Sequence, residues 1–312
     1  MPSTETIHPL TNQNQSEYSI TEIGIHPPNY RLPGTAHIGR VRLAVSDLAR
    51  SITFYSRVIG LTLLHLESNL AQLGIAENDR ILLELEQLPG VQSIERRSRL
   101  GLYHTAFLLP NREALSSFVR HLAQLNVSFG SGDHLYSEAL YLTDPDGLTV
   151  EVYADRPRDQ WLVEGREIVS ATNPVRFEQL PLVDDASWHG APTGTTIGHV
   201  HLYVGDLDRA ASFYSAVLGL DIVTWRYPGA LFTSAGGYHH HVGLNVWAAG
   251  SPVAAATDAR LLFWELVLPS KDEQQKVLAS LLAAGYAQTR TTHGAPAITD
   301  PWGITVALVI AS

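Results

Sequence analysis

The chain has 312 residues, 45% of them hydrophobic and 17% charged, which is enough for a large buried core and more than one small domain. Its formal net charge of −10 disfavours nucleic acid and anionic membrane surfaces as partners. The chain contains no cysteine, so disulfides, zinc–thiolate sites and thiol nucleophiles are excluded, and any metal must be held by nitrogen and oxygen.

The polar start, Met1 to Glu5, lacks the basic-then-apolar layout of a signal peptide, and no apolar run approaches the length of a membrane span. A cytoplasmic location is therefore expected. Residues 1–35 read as a polar, partly ordered tail. A first module covers 36–95: the period-2 strand from Ile38 to Val45, Asp47-Leu48 opening an amphipathic helix, a stop at Gly60, then short strands such as Arg80 to Glu86. A second covers 100–156, with a strand from Leu102, a polar-capped helix, and a tight Asp144-Pro145-Asp146-Gly147 turn feeding a last strand through Glu151. A linker rich in Pro, Asp and Gly occupies 157–195.

The third module, 196–250, repeats the first. Ile197-Gly198-His199-Val200-His201-Leu202 answers Ile38-Gly39-Arg40-Val41-Arg42-Leu43, and Phe213-Tyr214-Ser215 answers Phe54-Tyr55-Ser56. The fourth, 258–312, repeats the second, with Asp300-Pro301-Trp302-Gly303 as its turn. The fold class is thus α+β, built from βαβββ modules. One such module leaves an open sheet, so modules are expected to pair into two curved-sheet barrels around cavities. Exposed sheet edges leave a homo-oligomer open.

The His-x-x-Leu-x-Val-x-Asp-Leu opening and the Asp-Pro-x-Gly-x-x-x-Glu ending resemble the vicinal-oxygen-chelate superfamily of glyoxalase I, bleomycin-resistance proteins and extradiol dioxygenases, across residues 36 to 312. Within it, Gly198 to Leu202, Gly236-Gly237-Tyr238-His239-His240-His241 and Tyr153 to Arg158 are most similar to bacterial catechol 2,3-dioxygenases. The resemblance implies ligand positions on the first and last strand of each module. Those positions hold Arg40 and Glu84, His104 and Glu151, His199 and Asn245, and Phe263 and Ala307. Pairing modules in chain order yields no credible iron site. Pairing the second with the third collects His104, Glu151 and His199, a 2-His-1-carboxylate set for Fe(II), with Mn(II) as the other candidate. The first and fourth modules then form a lobe expected to be metal-free. Three ligands on one face of an octahedron leave room for a bidentate catecholate and O2, the implied substrates of an extradiol ring-cleaving dioxygenase.

The same resemblance assigns His240 as acid/base, Tyr141, ten residues before Glu151, as a donor to a substrate oxygen, and His134 as its upstream partner. His201, on the strand face of His199, and His239 are expected at the substrate. Trp225, Tyr227 and Trp264 are candidate pocket walls; His37, His189 and His293 read as loop residues. Taken singly, each strand histidine is as well read as a hydrogen-bonded core or rim residue. Two other functions stay open. A glyoxalase I-like lyase or isomerase calls for a fourth ligand, against which Asn245 counts. A metal-free binding protein of the bleomycin-resistance type suits the acidic charge but not the triad.

Overall fold

The repeated sequence signals produce repeated local structure because the same short-range chemistry recurs in each. In the computed structural model, which describes residues 22–183 and 188–311, β1 (His37–Val45) leads into α1 (Leu48–Phe54). The Asp47 carboxylate caps that helix by accepting from the Arg50 amide at 2.9 Å. The helix runs into a π-helical turn, Tyr55–Ile59, and stops at Gly60, whose φ of +89° lies in the left-handed region. An antiparallel run of β2 (Thr62–Glu67), β3 (Leu70–Ile75) and β4 (Arg80–Gln87) completes the module.

The second module repeats this plan with β5 (Gly101–Leu108), α2 (Arg112–Gln124), β6 (Gly130–Asp133), β7 (Ser137–Thr143) and β8 (Thr149–Asp155). A short hairpin, β9 (Val163–Glu164) with β10 (Glu167–Ile168), follows. Next come β11 (Thr196–Tyr203), α3 (Leu207–Ala211), β12 (Asp221–Thr224), β13 (Ala230–Ser234) and β14 (Val242–Asn245). The last set is β15 (Arg260–Leu268), α4 (Lys271–Ala283), β16 (Gln288–Arg290), β17 (Pro296–Thr299) and β18 (Thr305–Ile310).

The Asp-Pro-x-Gly turns explain how neighbouring modules lock together. One oxygen of Asp144 accepts from the amides of Asp146 and Leu148 at 2.9 and 2.8 Å, and its other oxygen takes the Tyr55 hydroxyl of the preceding module at 3.1 Å. Asp300 does the same with Trp302, Ile304 and Tyr214.

Strand order is β6-β7-β8-β5-β11-β14-β13-β12 in one sheet and β16-β17-β18-β15-β1-β4-β3-β2 in the other. The central contacts are antiparallel, β5 with β11 and β1 with β15. The second and third modules therefore share one curved sheet and the first and fourth share the other, which is the crossed pairing. A single apolar cluster that includes Val41, Leu43, Val200 and Leu202 spans both sheets.

The expectation of closed barrels is corrected: the terminal strands of each sheet do not pair with one another. In the β6–β12 sheet these edges are satisfied in another way. Asp133 at the β6 edge exchanges both backbone hydrogen bonds with Asn173 of the linker, at 2.8 and 2.9 Å. Ile222 of β12 exchanges both with Ile25, at 3.0 and 2.7 Å. Flanking chain covers each edge in place of closure. Residues 1–21 of the expected tail and 184–187 of the linker lie outside the described residues. His37 is not in a loop but opens β1, exposed, while His189 and His293 are exposed as read.

Candidate metal centre

Alternation along a strand puts residues i and i+2 on one face. On β5 that face carries His104 and Ala106, on β8 Glu151, Tyr153 and Asp155, and on β11 His199 and His201. Ala106 is paired with Glu151 on one side and with His199 on the other. Its side chain ends at Cβ, so the larger groups on either side converge above it. A bulge between Ile197 and His199 re-aims β11 at this point.

His104 Nε2 lies 2.9 Å from Glu151 Oε2, His199 Nε2 lies 3.4 Å from the same oxygen, and the two imidazole nitrogens are 3.2 Å apart. These three side chains form a group whose ligand atoms all lie within 4.8 Å of one another. For bond lengths of about 2.0–2.2 Å, adjacent corners of an octahedron are separated by about 3 Å. All three spacings match adjacent corners and none matches a trans pair, so the donor set fits one cation in a facial arrangement. The Nδ1 atoms of both histidines are buried without a partner among the described residues. The Nε2 edge is the one the fold has provided with company.

Burial opposes ionisation of Glu151, but the charges of His199 and His104 and their hydrogen bonds outweigh it and hold the carboxyl well below its usual range. Burial pushes His199 down to about 4, against the pull of Glu151. Burial, then neighbouring imidazoles, also holds His201 and His240 well below the ordinary histidine value. The shifts favour the carboxylate form of Glu151 and the neutral forms of His199, His201 and His240, and metal binding calls for carboxylate and neutral imidazole ligands.

A cavity enclosing about 490 Å³ including its mouth opens onto His104 and Glu151. Tyr103, Tyr227, Phe232 and Trp247 form apolar walls, and Ser170 and Thr172 reach in from the linker. Thr172 is tied to Tyr227 by a 2.8 Å hydroxyl contact that closes this side. Of the anticipated walls, Tyr227 serves as one. Trp264 is buried in the core between the sheets, and Trp225 does not line the cavity; its amide donates to Glu167 at 2.7 Å.

His240 lines the cavity with its ring centroid 4.0 Å from that of His199. Tyr141 and His134 also line it, joined by a 2.6 Å contact between the hydroxyl and Nε2. His134 Nδ1 lies 2.7 Å from the Ala171 carbonyl, which can only accept, so His134 donates there and receives the Tyr141 hydroxyl proton at Nε2. His201 lines the cavity too, and its Nε2 accepts from Asn245 at 3.0 Å. The Asn245 oxygen takes the Trp247 amide at 3.0 Å, so this side chain is committed on both ends and is no fourth ligand.

His239, expected at the substrate, is turned away from the cavity and fully buried. It bridges Asp155 and His240, a role that sequence reading missed together with Asp155 itself. A signal was available, because Asp155 shares the strand face of Glu151.

The corresponding region of the other sheet carries a different chemistry. Glu84 accepts from Arg40 at 3.0 Å, from Arg42 at 2.6 Å and from Gln72 at 2.8 Å, and Arg42 lies 5.0 Å over the Phe263 ring. Ala307 is buried and offers no donor atom.

With this geometry in hand, similarity to known proteins is informative. A profile of the Glyoxalase/Bleomycin resistance protein/Dioxygenase superfamily matches residues 37–152 and 196–308. A catechol-2,3-dioxygenase of Bacillus subtilis (strain 168) is 42% identical over 262 residues, covering 82% of this chain and 91% of that protein. A structure of a candidate dioxygenase from Bacillus subtilis superposes with a TM-score of 0.62 at 14% identity, covering 90% of this chain and 86% of that one. Glyoxalase I from Zea mays superposes at 0.56 with 16% identity, covering 88% and 92%. These two superpositions speak to the fold alone. The chain belongs to the glyoxalase/bleomycin resistance protein/dioxygenase superfamily.

Proposed function

We propose that the chain is an extradiol dioxygenase that opens the ring of a catechol with O2, using Fe(II) or Mn(II) held by His104, Glu151 and His199. The observation that carries this reading is the trio of ligand-atom spacings, 2.9, 3.2 and 3.4 Å, suited to three adjacent octahedral corners. The 42% identity to a protein described as a catechol-2,3-dioxygenase supports the same chemistry. Held by these three residues, a metal of this kind would supply Lewis-acid and one-electron chemistry toward a diol and O2.

The remaining work falls to the protein's own side chains. His240 takes a proton from the diol and returns one later in the reaction, from its place in the cavity wall beside His199. Tyr141 and His134 act as one hydrogen-bonded unit that steadies a diol oxygen. His201 stands against the ring of the substrate, its orientation set by Asn245. Tyr103, Phe232 and Trp247 enclose the aromatic ring and exclude water. The glyoxalase-like alternative lacks its fourth ligand, since Asn245 is engaged elsewhere.

In the same reading, 36–95, 100–156, 196–250 and 258–312 are the four structural units, with 157–195 as a linker that also roofs the cavity. The test is anaerobic incubation with Fe(II), followed by air and catechol. Ring opening produces a yellow product with equimolar O2 uptake. Absence of both, with Fe(II) bound at the triad, contradicts the assignment.

A further inference from the structure

His239 has both ring nitrogens engaged. Nε2 lies 2.9 Å from Asp155 Oδ1, and Nδ1 lies 2.8 Å from Nδ1 of His240. The ring is completely buried and stacks on Tyr136 at 4.3 Å between centroids, 13° from parallel. It cannot turn to exchange these partners without leaving that stack. His240, by contrast, lines the cavity. Its Nδ1 is committed to His239, and no hydrogen bond from the described residues reaches its Nε2.

With His239 neutral, donor and acceptor counting fixes the protons. A carboxylate only accepts, so the proton between Asp155 and His239 resides on His239 Nε2. A neutral His239 carries a lone pair on Nδ1 and must accept there. The donor is therefore His240 Nδ1–H, and neutral His240 carries no proton on Nε2. The basic atom is the one directed at the cavity.

We propose that Asp155 and His239 are positioning residues that hold His240 in its Nδ1–H tautomer, presenting the Nε2 lone pair to the substrate; this deepens, and rests on, the dioxygenase reading above. When Nε2 accepts a diol proton, the resulting imidazolium keeps its Nδ1–H directed at the His239 lone pair. His239 in turn keeps its Nε2–H on the Asp155 carboxylate, so the positive charge is met by an aligned chain ending in a negative one. The same principle orients a histidine between an aspartate and a nucleophile in hydrolases, with one imidazole fewer in the series. Asp155 and Glu151 alternate on one face of β8, so a single strand supplies both the carboxylate of the triad and the carboxylate that orients the base.

The test reads the tautomer directly. The full chain, labelled with ¹⁵N-histidine and loaded with diamagnetic Zn(II), is examined by two-bond ¹H–¹⁵N correlation. His240 is expected as Nδ1–H in the parent. Asp155→Asn, whose amide can donate to His239 Nε2, is expected to move His240 toward Nε2–H. With Fe(II) loaded, Asp155→Asn and His239→Phe are expected to lower kcat by about 10–10³-fold with KM and bound iron unchanged. His239→Asn, which can offer a carbonyl near the Nδ1 position, is expected to recover part of that loss. An Nε2–H tautomer in the parent, or an unchanged tautomer in Asp155→Asn, overturns the proposal. A parent with the expected tautomer that leaves catechols intact overturns the dioxygenase reading instead.

Discussion

Nε2 of His104 and Nε2 of His199 stand 3.2 Å apart, although 95 residues separate them in the chain. Two neutral imidazoles cannot satisfy each other across that gap with both lone pairs inward. So directed, they suit a shared cation, and Glu151 adds a negative charge at the same point. This convergence exists because β5 and β11 are central neighbours in one sheet.

His240 is predicted to act after metal binding, not in it. His240→Phe should retain iron and lose about 10²–10⁴-fold in kcat. Metal analysis beside steady-state O2 uptake checks this, and unchanged turnover would remove His240 from the mechanism.

Gly198 is predicted to be indispensable to the shape of β11 next to His199. A Cβ at this position would stand 1.8 Å from the Tyr153 hydroxyl oxygen, and that hydroxyl is held by Tyr238 at 2.8 Å. Gly198→Ala should cost about 1–3 kcal/mol through overpacking and should weaken metal binding by shifting His199. Thermal unfolding and metal titration report the two effects separately.

The Arg–Glu cluster of the other sheet is predicted to serve stability alone. Glu84→Ala strips a buried carboxylate from Arg42, whose side chain is 4% exposed. Removing one partner of a buried pair costs up to about 3–5 kcal/mol. Glu265 and Glu86 still face Arg40 and Arg42 at 2.7 and 3.2 Å, which should reduce that cost. Activity per folded molecule should be unchanged; a denaturant titration paired with O2 uptake would reveal either failure.

Burial pushes Asp144 up to about 7 against its amide and Tyr55 hydrogen bonds. An acid whose folded value lies above its unfolded value of about 3.9 binds more protons when folded, so its contribution to stability falls as pH rises from about 4 to about 7. Asp144→Asn keeps an oxygen for the two amides and removes this titration. Its stability relative to the parent should therefore improve steadily across that window. A constant difference would show that Asp144 is ionised in the folded protein throughout.

The ligands were legible through the family resemblance, which implies fixed strand positions in each module, and only one pairing of modules joins His104 and Glu151 with His199. Closure of the sheets was not legible. Whether β6 and β12 meet or are capped depends on where Asn173 and Ile25 dock, and nothing periodic marks those segments. The His239-His240 pair was visible as a motif, but which imidazole faces the cavity depends on the course of a loop. Asp155 lies 2.9 Å from His239, a contact invisible until β8 and the loop after β13 are placed together.

The most direct measurement is a crystal of the Fe(II)-loaded protein, grown anaerobically and recorded across the iron absorption edge. One anomalous peak is predicted, about 2.0–2.2 Å from Nε2 of His104, Nε2 of His199 and a carboxylate oxygen of Glu151. Glu151→Ala should abolish that peak. Iron bound elsewhere, or a peak that persists in Glu151→Ala at full height, would contradict the account.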